Sequence, residues 1–584
     1  MRDRAARDDA SDNERDNALK DTLDRFFDHY YKRRPVNATF TGMHAYDTQL
    51  PDWSESGLVT LEAEMHMLSS QLHRLLAAEH LPVATDVADA ARVREHPQLL
   101  DAVLARDFLA IQITEYASRH GPRGNPALWS GEAVFAVVSL MIRDFAPVRE
   151  RVTAAVARMQ AVPAFLRDAE AVLARAPIPD AWRARALKDC DGADRLLGAG
   201  VQAWVREIAD DSVQATALAA AASVAAAFER FAEWLRSRPA GVDGMSSCGT
   251  AKYDLLLKRG HHCLQSRREL LADARSEFRV AKSKLERMTE SATGTWERAQ
   301  LMMAEHHATS RNYLGSFEET WSRCRAHAAQ HDVVTWPDWP IRYVSFPEST
   351  REAAPYLYYL FYRAPAPLDP YTVYDYVVPP IPADDAAAET HLRAWNQTVV
   401  TLNHVVHHGA IGHHVQNWHA YHRAATRIGQ VAAVDCATRI GMFCAGTMAE
   451  GWACYATVLM DELGFLNPLE QLSEQHSQTR FLARAIVDIE LHQGTMSFDD
   501  AIRFYVGEVG MSADVARAEV VKNSMFPCTA IMYWLGTRTI LELRDTMQRR
   551  LGDAFVLKTF HDTLLGYGSI PMPLIAQLMT DGDT

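Results

Sequence analysis

Four features are missing from this 584-residue chain. There is no run of basic residues, and the net charge is −14. A partner whose phosphates must be neutralised by Lys and Arg, such as nucleic acid, is therefore not expected. There is no CxxC pair: the eight cysteines stand apart at 190, 248, 263, 324, 436, 444, 454 and 528, and read as reduced thiols. No stretch approaches the ~20 consecutive apolar residues that cross a bilayer. Residues 1–18 are charged and polar, without the apolar middle of a secretory leader. Together these give the expectation of a cytoplasmic protein with no membrane partner and an undetermined oligomeric state.

What is present is ordinary for a globular chain. Hydrophobic residues make up 48% and charged residues 23%, and this length suffices to bury a large core. Residues 1–18 read as a charged, disordered arm. From 19 to 240 the apolar spacing is helical, beginning with Leu19, Leu23, Phe26, Phe27, Tyr30 and Tyr31, and helices are predicted over 57–78, 86–120, 131–159, 161–176, 180–208 and 212–238. Gly241 to Met245 is the clearest linker, so 19–240 and 245–584 are the two candidate halves. Residues 341–380 change character: Arg342 to Phe346 and Tyr356 to Tyr362 are aromatic and extended, which predicts a small sheet.

The densest chemistry lies in one short stretch. Seven of the chain's 24 histidines fall between 404 and 422, with His407, His408, His413 and His414 inside eight residues. The surrounding segment, 395–427, reads as one helix. Imidazole is the usual side-chain ligand of zinc and the usual proton carrier near neutral pH. At ~100° per residue, His407 and His414 lie within ~20° of each other on an undistorted helix, while His407 and His413 are ~120° apart. Helix geometry thus favours His414 as the partner of His407. Gly409 and Gly412 weaken the helix and would permit a bulge that brings His413 round instead. Some forty residues on, Glu450 is set among Met448, Ala449, Trp452, Ala453 and Tyr455. A carboxylate in such apolar company is costly unless it is paired or holds a metal.

These two motifs, His407-His408-Gly409-Ala410-Ile411-Gly412-His413-His414 and Glu450-Gly451-Trp452-Ala453, resemble the bacterial DUF885 family of zinc-peptidase-like proteins. The hallmark there is His-Glu-x-x-Pro-Gly-His-His followed by Glu-Gly-Trp-Ala. The likeness extends to Pro35 through Thr39, Gly42, His44, Tyr46 and Asp47; to Asp338 through Tyr343; and to Arg484, Asp488, His492, Pro527, Tyr533, Gly536, Phe560, His561 and Asp562. It implies a mainly α, gluzincin-like metallopeptidase fold with a deep cleft and a small β-hairpin or sheet, akin to thimet oligopeptidase and Taq carboxypeptidase. A strand near 341–380 would bind substrate backbone by edge addition. It also implies a divalent metal on His407, His413 and Glu450, with His414 the alternate; zinc is the first choice, iron and manganese the others.

The departures from the pattern bear directly on function. His408 stands where the family has its glutamate, the group that takes a proton from the attacking water, and Ile411 stands where it has proline. His408 could be a further ligand, could replace the glutamate as proton carrier, or could mark a site that has lost hydrolysis. The expected function is a metal-dependent hydrolase cutting an amide or peptide-like bond in a small molecule or short peptide, with His408 as base. The alternatives are a non-hydrolytic metalloenzyme and an inactive binding protein. Tyr533 is a candidate to hydrogen-bond a developing oxyanion, or else core. Asp488 and His492 share a helix face and could orient a ligand imidazole. Arg538 and Arg544 are candidates for a substrate carboxylate.

Overall fold

The computed structural model describes residues 2–78, 93, 96–241, 243–356, 362–363, 366–369, 374–432 and 440–580. The chain is mainly helical. The apolar stripe from Leu19 to Tyr31 is buried on the helix Arg2–Arg33. The same helix is described from Arg2 onward.

Two expectations shift. The break predicted near residue 160 is absent, because the helix Val148–Leu173 runs on through Pro163. It buries Val152, Ala155, Met159, Val162, Phe165, Leu166 and Ala169 along one side, and that continuous face outweighs the ~3 kcal/mol that an interior proline costs. The chain turns instead at 142–147, ahead of Val148. The helix Asp211–Ser237 is, on length and composition alone, apolar enough to cross a membrane. Its stripe of Ala217, Ala220, Ala221, Val224, Phe228 and Phe231 is buried in the protein, as in a core helix.

The largest hydrophobic cluster draws on residues from Leu19 to Met579 and so on both sides of the Gly241 turn. A second cluster joins Ile111 and Trp182 to Phe481, Ile486, Tyr505 and Leu535. The early motif Pro35 to Asp47 is structural. Buried Arg158 donates to the carbonyl of Pro35 at 3.0 Å and to Thr39 Oγ1 at 2.7 Å, and Thr39 donates to Asp47. Gly42, at φ 88°, has Asp369 against it so closely that a Cβ would meet the Asp369 amide at 2.8 Å.

The expected small sheet is present. Strand β1 (Ile341–Ser345) pairs in parallel with β3 (Tyr374–Val378), Ile341 opposite Tyr374 and Ser345 opposite Val378. The two-residue β2 (Tyr362–Arg363) adds on the far side of β3, antiparallel. The rest of the aromatic stretch, 357–361, lies outside the described residues, as do 364–365 and 370–373.

Three helices frame the histidine stretch: the glutamate helix (Ile440–Glu462), the arginine helix (Pro468–Gln493) and the tyrosine helix (Met532–Leu551). The glutamate and tyrosine helices meet at glycine. A Cβ on Gly451 would lie 2.6 Å from Gly536 Cα, and one on Gly536 would lie 2.0 Å from the Thr447 carbonyl. Both positions exclude any side chain.

Candidate metal centre

The segment 395–427 is not one helix. After the short turn Gln397–Val399, residues Val400–Gly409 wind as a π-helix, an expanded form that accommodates extra residues per turn. The chain then breaks at Ala410 (φ −125°, ψ −117°) and Gly412 (φ −73°, ψ −117°) and restarts as the helix His413–Arg423. Gly412 is pressed against its predecessor so tightly that a Cβ would sit 1.9 Å from the His407 carbonyl. The ~120° that would part His407 from His413 on a regular helix is removed by this break.

His407, His408 and His413 consequently converge, with one imidazole nitrogen of each within 4.8 Å of the others. Glu450 faces them: its Oε2 is 3.4 Å from His407 Nε2 and 3.8 Å from His413 Nε2. The side chains of His407, His413 and Glu450 are 12%, 13% and 24% exposed, so the group is recessed but reachable by solvent. His414 is turned the opposite way, fully buried, with its Nε2 3.2 Å from the Trp339 carbonyl. The geometric preference for His414, drawn from a regular helix, is therefore not met, because the helix is interrupted between the two histidines.

The donors fit a divalent cation. His408 donates its Nδ1–H to the Asn403 carbonyl at 2.6 Å, which leaves the Nε2 lone pair for the centre; this fixing of tautomer is typical of metal-binding histidine. Burial holds His408 well below the ordinary imidazole range and His413 near 4. Both are neutral, as ligation requires. Burial opposes the charge on Glu450, yet the hydrogen bond from His407 and the field of His413 bring its pKa down to about 2. Three imidazoles and one carboxylate form a donor set suited to zinc, iron or manganese.

A surrounding shell holds the stretch in place. Trp452 donates its indole N–H to the carbonyls of Ile411 and Gly412 at 2.9 and 3.2 Å. Trp321 donates to the Gly409 carbonyl at 2.7 Å. Tyr376 on β3 hydrogen-bonds His404 Nδ1 at 2.6 Å, and His404 stacks on Trp395. None of these contacts is between sequence neighbours. Only Trp452 carried a signal in the chain, through its place in the Glu-Gly-Trp motif.

Tyr533 is partly buried and stacks on Phe481 with ring centroids 5.3 Å apart. Burial, together with the charge of Glu450, pushes its phenol well above the usual range, so it is a neutral O–H donor. Asp488 and His492 do not reach the histidines. Asp488 accepts from the amides of Cys528 and Ile531, and His492 bonds the Asn523 carbonyl, so the pair braces the turn that feeds the tyrosine helix. His561 bridges Tyr455 and the Val333 carbonyl. Arg538 is held by Asp273 and Glu542. Arg544 is held at both nitrogens by Glu462. Neither arginine is free for substrate.

A cavity of about 300 Å³ elsewhere is lined by Val93, Leu100, Thr426, Tyr567 and Leu578, with no residue of the histidine group. Its wall is mostly apolar, with Asp562 and Thr563 also in its lining, and the side-chain convergence above is the better guide to function.

A family model described as "Bacterial protein of unknown function (DUF885)" matches residues 35–579. Two solved structures, each described as a "putative lipoprotein", share the fold. The one from Shewanella oneidensis, of unknown function, is 19% identical and has a TM-score of 0.72 over 96% of this chain and 99% of its own. The one from Colwellia psychrerythraea is 18% identical, also at 0.72, over 97% and 99%. No curated protein matches. The lipoprotein description overturns the cytoplasmic expectation. That expectation leaned on reduced thiols, and cysteines 190, 263, 324, 454 and 528 are free and buried. Burial raises the pKa of each, so they stay unreactive thiols in any compartment.

Proposed function

The chain belongs to this family of bacterial proteins, and on that premise we propose that it is a metal-dependent hydrolase cutting an amide or peptide-like bond in a small molecule or short peptide. The observation that carries the reading is the convergence of His407, His413 and Glu450 from either side of a broken helix and from a neighbouring one. A helical body with such a group inside it is what a gluzincin-like fold would supply. The likeness to two described lipoproteins supports a place of action outside the cytoplasm.

His407, His413 and Glu450 would hold a divalent metal, zinc first, which when bound supplies Lewis-acid polarisation and acidifies water. His408, with Nδ1–H fixed on Asn403, accepts a proton at Nε2 from the attacking water and returns it to the leaving nitrogen. Tyr533 donates its O–H to the substrate oxygen on which negative charge develops. The stacked Phe481 and Tyr533 rings hold that wall in place.

One observation favours a second reading. His408 lies within the same 4.8 Å group as His407 and His413. As a third imidazole ligand it would suit iron or manganese and a non-hydrolytic reaction. Metal analysis of protein purified without chelators, paired with an amide-hydrolysis assay, separates the two. Zinc with turnover supports the first reading and iron or manganese without hydrolysis the second. A protein empty of transition metal sinks both.

A further inference from the structure

We propose that Arg480, with Arg484 beside it, binds a carboxylate of the substrate next to the histidine centre. The inference rests on the reading of His407, His413 and Glu450 as the reacting group. The two arginines are four residues apart on the arginine helix and so share a face. Arg484 lies 5.0 Å over the Tyr533 ring and 5.9 Å from that of Phe481, and is ion-paired to Glu519 at 2.6 Å. Arg480 lies 5.5 Å from the Phe481 ring, yet among the described residues it has neither an ion pair nor a hydrogen bond. The Nε of each arginine is buried without a partner.

The arginine helix packs against both the π-helix that carries His407 and the glutamate helix. Cys454, one helical turn beyond Glu450 on the glutamate helix, feels the charges of Glu450, Glu474, Arg484 and Arg480 together. Tyr533 feels Glu450 and Arg484. A guanidinium held in a recess, four residues from a second one, is unfavourable until an anion joins it. Burial and Arg484 accordingly pull Arg480 below its ordinary pKa.

Charge decides the class of anion. Glu519 ion-pairs with Arg484, and among the described residues no carboxylate lies within ion-pairing distance of Arg480. A singly charged carboxylate matches it, and the planar fork of arginine fits two carboxylate oxygens side by side. A phosphate dianion would be left half-balanced. Arg538 and Arg544, by contrast, already hold carboxylates of this chain.

Isothermal titration of the metal-loaded protein with N-benzoylglycine, N-benzoylglycinamide and inorganic phosphate tests the assignment. The acid is expected to bind about tenfold or more tighter than the amide. Arg480→Gln should bring the acid to the level of the amide, and Arg480→Lys should keep part of the preference. The metal content of both variants should match that of the wild type, which separates the arginine from direct carboxylate–metal contact. Equal binding of acid and amide, no binding of acid, tighter binding of phosphate, or an unchanged acid affinity in Arg480→Gln overturns the proposal. Should Arg480→Gln not fold, the wild-type comparison and Arg480→Lys still decide. Absence of metal from the wild type strikes the hydrolase reading alone, because the acid–amide comparison is a binding measurement that needs no turnover.

Discussion

The indole N–H of Trp452 donates to the carbonyl oxygen of Ile411 at 2.9 Å. Two residues after Glu450, the glutamate helix thus grips the break that separates His407 from His413. One short motif supplies both a carboxylate to the centre and the clamp that keeps the two histidines turned toward it. A buried peptide carbonyl at such a break would otherwise lack a donor.

Removing the clamp should loosen the centre without deleting a ligand. Trp452→Phe keeps an aromatic side chain but loses the N–H together with part of the buried indole, and an outer-shell partner of this kind is worth about 10–100-fold in metal affinity. Competition with a chromophoric chelator measures the shift. His407→Ala and Glu450→Gln should lose bound metal outright, whereas His414→Ala should keep it, because His414 faces Trp339. Retention of metal by His407→Ala would refute the ligand assignment.

Glycine at 451 and 536 sets a sign that helix propensity alone gets wrong. Gly→Ala in a helix interior gains up to ~1 kcal/mol from propensity. Here the added methyl meets backbone atoms at 2.0–2.6 Å, and overpacking costs ~1–3 kcal/mol. Each of Gly451→Ala and Gly536→Ala should lower the urea midpoint of unfolding, with m unchanged. A stabilised variant would show that the two helices are not in contact there.

His408 can be interrogated by the residue the family carries. If it moves the proton, His408→Ala should reduce amide hydrolysis by about 10²–10⁴-fold, and His408→Glu should retain most of it. Hydrolysis that appears only in His408→Glu would favour the non-hydrolytic reading of the natural protein. Metal content recorded on the same samples separates loss of a base from loss of a ligand.

A pH effect is expected at His44. His44 bonds Asp47 and Asp369 through its two ring nitrogens, each at 2.8 Å. Burial opposes its charge, but the two carboxylates raise its pKa to about 9 from 6.5. A raised folded pKa means that the stabilisation is complete below about 6.5, shrinks as pH climbs, and is gone above about 9. The gap in melting temperature between wild type and His44→Gln should therefore close between pH 6.5 and 9. A gap that widens over that range would contradict the assignment.

Much of this was legible in the chain. Helical spacing marked the stripe Leu19 to Tyr31, the aromatic run from Arg342 marked the sheet, and the imidazole cluster with Glu450 marked the centre. What periodicity could not show was the interruption at 410–412. It follows from close approach of the Gly412 backbone to the His407 carbonyl and from the grip of Trp452, a contact from another segment. The same holds for arginines: Arg538 and Arg544 look free in sequence, and only the fold reveals Asp273 and Glu462 against them. Arg480 carried no local signal, since its isolation is a property of its surroundings.

The contact between Gly451 and Gly536 has a mechanical consequence. Where two helices are spaced by bare backbone, there is no cushion of side chains through which one can slide or tilt against the other. The spacing between Glu450 and Tyr533, each neighbouring that contact on its own helix, is therefore set by backbone against backbone.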